Sequence, residues 1–132
     1  MKTHKDLLVW KKSIELVTEV YALTKSFPEE EKFGLTNQLR RAAVSIPSNI
    51  AEGAARNSKK EFVRFLSIAL GSSAELQTQL LISKNLEYLS EQNKLILEFE
   101  AVSKMISGLI RSVNKTNYVQ EDAIQYETLT DY

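Results

Sequence analysis

The chain has 132 residues, 43% hydrophobic and 26% charged, with 17 basic and 17 acidic side chains and no cysteine. That is enough for one domain with a real core, and the missing cysteines exclude disulfides, thiol nucleophiles and thiolate metal sites. No run approaches the ~20 apolar residues of a membrane span and charges break up the first residues, so a cytoplasmic protein with no membrane partner is expected.

Charge is unevenly spread. Residues 116–132 carry Glu121, Asp122, Glu127 and Asp131 and no lysine or arginine, which leaves 17 basic against 13 acidic groups in the remainder. Two units follow: a helical domain over residues 1–115 and an acidic, disordered tail over 116–132.

Helix 1 is predicted over residues 6–27, capped by Thr3 or Asp6 and ended by Pro28. At about 100° per residue, Leu7, Trp10, Ile14, Val17 and Tyr21 form one apolar stripe. Val9, Leu16, Val20, Leu23 and Phe27 form a second, with Ser13 and Thr24 between the two. Together they span roughly 200°, twice the stripe of an ordinary surface helix. A four-helix core uses about one of them. The second stripe is therefore expected to lack cover in a monomer and to serve self-association. The glutamates of the following turn, residues 28–34, sit where they favour the positive end of the next helix dipole.

Helix 2 is predicted over residues 35–55. Its seam of Leu35, Leu39, Ala42, Ile46 and Gly53, with Ile50 beside it, is narrow and made largely of small side chains. Pro47 lies inside it. The ring clashes with the Ala43 carbonyl and removes a donor, so the helix either kinks or breaks at residues 45–48. The seam stays in register across the proline, which favours one kinked helix.

A polar stripe flanks that seam: Gln38, Arg41, Ser45, Ser48, Asn49, Glu52 and Arg56. Once buried, such groups must find partners across an interface. Gln38, Ser45, Asn49 and Glu52 read as a structural network that fixes helix register, with a ligand or nucleic-acid surface as the competing reading.

Ser58-Lys59-Lys60-Glu61 is a capping box that opens helix 3. Phe62, Leu66, Ala69, Ser73, Leu76, Leu80 and Ser83 then alternate at spacings of four and three. Gly71, Ser72 and Ser73 in mid-helix read as a close crossing point. Helix 4, predicted over 91–114 with Ser90 as N-cap, has a single seam of Leu95, Phe99, Val102, Ile106, Leu109 and Val113. Four long helices with short connections make an all-α, up-down-up-down four-helix bundle the economical fold.

Chemistry is scarce. His4 is the only histidine, no phosphate loop, dinucleotide fingerprint or zinc spacing is present, and the Glu-x-x-His pattern of di-iron bundles is missing. Glu52 and Glu75 could both point inward for acid–base work, with no nucleophile or electrophile beside them. The expectation is a protein with no enzymatic activity, cofactor, metal or small-molecule substrate. The basic residues Arg40, Arg41, Arg56, Lys59, Lys60 and Arg64 mark a potential nucleic-acid or interface region.

The strings DLLVWKKSIELV from Asp6, FGLTNQLRRAAVSIPSNIAEGAAR from Phe33 and EFVRFLSIALGSSAEL from Glu61 resemble the bacterial four-helix-bundle proteins encoded within intervening sequences of 23S ribosomal RNA. The resemblance covers roughly residues 6–114, and SIPSNIAEG is its most specific part. It implies a four-helix bundle assembled as a homopentamer, in a family of unestablished molecular activity. A related branch, the accessory proteins of diversity-generating retroelements, is pentameric and implies nucleic-acid binding; those relatives are strongly basic, and this chain is neutral. Two readings follow: a self-assembling structural or adaptor protein, and a nucleic-acid-binding accessory.

Overall fold

A computed structural model describes residues 3–116; the acidic tail expected to be disordered lies outside the described residues, apart from Thr116. Four helices form, α1 (Leu8–Thr24), α2 (Leu35–Ala55), α3 (Lys59–Asn85) and α4 (Leu95–Asn114). Each of α1 and α3 packs on both α2 and α4, so α1 and α3 sit diagonally across an up-down-up-down bundle.

The start of α1 differs from expectation. Thr3 and Asp6 do cap one another, the Thr3 amide donating to the Asp6 carboxylate at 3.0 Å, but they close a 3-10 turn over His4–Asp6. The backbone then extends at Leu7 and the helix begins at Leu8. It ends at Thr24, three residues before the predicted end.

The two stripes of α1 exchange roles. Val9, Leu16, Val20 and Phe27, expected to lack cover, lie in the core, with Leu16 and Val20 fully buried. Of the other stripe only Leu7 is fully buried. Ile14 is 41% exposed, Tyr21 is exposed, and Trp10 and Val17 are half-buried. Two hydroxyls between the stripes are buried with the second one. Ser13 Oγ donates to the Trp10 carbonyl at 2.9 Å and Thr24 Oγ1 to the Val20 carbonyl at 2.8 Å. Satisfied by their own helix, both residues can be buried beside Leu16 and Val20 without a partner from another helix.

Helix α2 runs unbroken through the buried Pro47. The Asn49 amide donates to the Ser45 carbonyl and hydroxyl, at 2.7 and 2.9 Å. That carbonyl is not the one Pro47 deprives of a donor, which belongs to Ala43. Gly53 explains the small-residue seam. A Cβ there would lie 2.6 Å from Phe65 Cβ and 3.2 Å from the Phe62 ring, so α2 and α3 approach as closely as they do because the side chain is absent.

At the start of α3, Ser58 Oγ accepts from the Glu61 amide at 3.2 Å. The Glu61 carboxylate lies 3.6 Å from the Arg64 guanidinium. In mid-helix the serines tie α3 to both neighbours. Ser72 Oγ pairs with Ser45 Oγ at 2.8 Å, and Ser73 Oγ donates to the Phe99 carbonyl at 3.1 Å. Gly71 is not at the crossing: a Cβ there would meet nothing within 4 Å. Helix α4 starts at Leu95, four residues later than predicted, because Asn93 Oδ1 takes up the Leu95 amide at 2.9 Å in place of a Ser90 cap. Its whole seam is buried, and Phe62 and Phe99 are both fully enclosed.

Candidate functional site

The polar stripe of α2 meets α3. Gln79, largely buried, donates from Nε2 to Gln38 Oε1 at 3.3 Å and to Glu75 Oε1 at 3.2 Å. Ser45 bonds both Ser72 and Asn49. Gln38, Ser45 and Asn49 thus enter two separate clusters, Gln38 with Gln79 and Glu75, and Ser45 and Asn49 with Ser72. Glu52 stays outside both, 3.5 Å from Arg56 on the same helix. Glu52 and Glu75 are both exposed, which corrects the expectation of an inward-facing carboxylate pair.

The six basic residues do not form one field. Sixteen residues of helix separate Arg40 from Arg56, about 24 Å at 1.5 Å per residue, so they divide between two ends of α2. Arg40 is tied to α1: its Nε donates to Thr24 Oγ1 at 2.8 Å, and its guanidinium stacks 4.6 Å from the centre of the Tyr21 ring. At the other end Arg56 and Arg64 flank the Phe65 ring at 5.3 and 5.1 Å. Lys59 Nζ donates to the Asn114 carbonyl at 2.7 Å and closes the C-terminus of α4. Arg41 and Lys60 are exposed, and Arg41 makes no hydrogen bond or ion pair among the described residues. His4 lies edge-on to Trp10, 5.1 Å between ring centres. Among the described residues, no cluster of three His, Cys, Asp or Glu side chains could hold a metal, and no helix is long and apolar enough to cross a membrane.

Two contacts carry shifted acidities. The Tyr88 hydroxyl donates to Glu31 Oε2 at 3.0 Å, and that carboxylate pushes the phenol up. Glu31 also accepts from the Leu35 amide at 3.3 Å, so one carboxylate joins the start of α2 to the α3–α4 connection. Lys12 sits 2.6 Å from Glu98 on α4, and this hydrogen bond raises its ammonium.

Sequence reasoning missed the groove between α1 and α2. Trp10, Ile14, Val17, Val44, Pro47 and Ala51 line a hollow of about 380 Å³, with Val44 39% exposed. Its signal was the first stripe of α1, which had been assigned to the core.

The fold is similar to that of a solved protein of unknown function from the S23 ribosomal protein family of Bacteroides thetaiotaomicron, with a TM-score of 0.71 and 24% identity over 79% of this chain and 99% of that one. No curated protein matches. The model of the 23S rRNA-intervening sequence protein family matches residues 5–108, from the first turn into α4. The chain belongs to that family.

Proposed function

We propose that this protein is a non-enzymatic structural or adaptor protein that assembles from copies of itself into a closed ring. The observation that carries the reading is the uncovered apolar face of Trp10, Ile14, Val17 and Val44 between α1 and α2. Contiguous apolar surface of this kind marks an interaction site more often than isolated exposed side chains do. The occupant is a second copy. Ile68 and Ile82 are also exposed, on one side of α3, diagonally across from α1. A head-to-tail contact needs two different faces on one subunit, and it gives a ring when the rotation closes. The number five comes from the family resemblance; the two faces argue for association alone.

Nucleic-acid binding ranks second. A phosphate-tracking surface gains from clustered cations, and four of the six basic residues here are engaged within the chain, at separate ends of α2.

The test is mass by light scattering across a dilution series of the wild-type protein. A pentameric mass that holds into the micromolar range is expected. A wild-type monomer at that concentration overturns the ring.

A further inference from the structure

Beyond the apolar groove, the α1–α2 surface continues into a second hollow of about 510 Å³, lined by Tyr21, Asn37, Arg40, Arg41, Val44 and Ser45. The lining holds two guanidiniums and no carboxylate. We infer that this hollow binds a phosphate monoester, the phosphate held between Arg40 and Arg41.

Arg40 is set in place before any ligand arrives. Its Nε is held by Thr24 Oγ1 at 2.8 Å, its Nη2 by the Tyr21 carbonyl at 3.4 Å, and its plane by the Tyr21 ring. Nη1 has no partner among the described residues. A guanidinium fixed in this way loses little rotamer freedom on binding, and with Nε and Nη2 engaged it offers its Nη1 edge to a phosphate oxygen. Arg41 is the complementary, adjustable group. It is exposed and makes no ion pair among the described residues, although it also borders the neighbouring hollow that contains Glu75.

Two positive charges on consecutive residues repel one another. A dianion between them relieves that repulsion and makes charge-assisted hydrogen bonds to both. Asn37 stands four residues before Arg41, on its face of α2, and adds an amide donor, whereas the Ser45 hydroxyl four residues after it is already bonded to Ser72 and Asn49. The hollow is larger than a bare phosphate requires, and Val44 with the Tyr21 ring gives it an apolar wall. The ligand is therefore a phosphate on an organic, ring-bearing group. A free nucleoside monophosphate and the 5′-phosphate end of an RNA strand share that chemistry.

This inference does not depend on ring assembly, although Val44 also lines the apolar groove. The test is calorimetric titration of the full chain with adenosine 5′-monophosphate, with adenosine as the phosphate-free control. Binding of the monophosphate and none of adenosine is expected. Arg41→Gln, at an exposed site with no internal partner, should weaken binding at least about tenfold, as for the loss of one hydrogen bond to a charged group. Lys60→Gln, in the first turn of α3 and at the other end of the bundle, should bind as wild type does.

A 5′-phosphorylated RNA oligonucleotide and its 5′-hydroxyl counterpart separate the two sources. Preference for the phosphorylated strand, with displacement by the monophosphate, assigns the site to RNA ends, whereas binding of the monophosphate alone assigns it to small molecules. Failure of the wild type to bind either phosphate probe overturns the inference, as does equal binding by Arg41→Gln or by adenosine. Light scattering on Arg41→Gln tells loss of the site from loss of assembly.

Discussion

The two sides of α2 solve the same problem differently. Toward α3 its polar and small residues find partners inside the chain: Ser45 meets Ser72, Gln38 meets Gln79, and Gly53 admits the Phe62 and Phe65 side chains. Toward α1 the helix packs through apolar side chains and, among the described residues, bonds through Arg40 to Thr24 and Tyr21, and beyond it Val44 and Ile14 stay partly open. A polar face must be satisfied wherever it is buried, and the intrachain neighbour does most of this, Gln79 Oε1 being a buried oxygen with no partner among the described residues. In the proposed assembly the half-covered apolar face would be buried against a second copy. The closed side is thus where substitutions should cost stability, and the open side where they should cost assembly.

The largest expected effect is on the closed side. Phe62→Ala should lower unfolding free energy by about 3–5 kcal/mol, since it empties a fully buried site against Gly53. Phe99→Ala should do the same in the α4 seam. Denaturant titration checks both, and near-wild-type midpoints would contradict the packing. Gly53→Ala follows, at about 1–3 kcal/mol, because the added methyl collides with a Cβ that cannot swing aside. An unchanged midpoint would mean that α2 and α3 are not held as closely as described.

A smaller effect tests the contacts at other points of the bundle. Tyr88 and Lys12 both hold their protons more tightly in the folded chain, through Glu31 and Glu98 respectively. A raised folded value means stability that is fully present below the unfolded values of 10.0 and 10.5 and lost as pH rises through the higher folded ones. Melting temperature should therefore fall on the alkaline side above about pH 10. Tyr88→Phe should make that fall shallower. An identical alkaline profile in the variant would remove the Tyr88–Glu31 contact from the account.

Much of this fold was legible because periodicity reports which residues share a face. The seams of α3 and α4, the buried Phe62 and Phe99, and the passage of α2 through Pro47 all follow from spacing alone. Periodicity does not report which way a face points. On α1 two apolar stripes competed, and spacing alone does not say which of them meets the other helices; Ser13 and Thr24, between the two, are buried with the second. Asn93 displaced Ser90 at the start of α4 for a local reason, a single side-chain oxygen two residues before the first helical amide. The site was less legible still. Arg40 and Thr24 lie sixteen residues apart, and no local pattern announces their contact. Nearness in sequence also suggested one basic cluster where helix rise separates two.

The most direct test of the open face compares two substitutions two residues apart. Ile14→Glu places a charge on the exposed stripe of α1, and Leu16→Glu places one in the core. Light scattering and circular dichroism are measured on both and on the wild type. The account predicts an assembled wild type, a folded and helical Ile14→Glu monomer, and a Leu16→Glu chain that loses its structure, since an unpaired charge cannot be buried there. An Ile14→Glu protein that keeps the wild-type mass would contradict the assignment of this face to assembly.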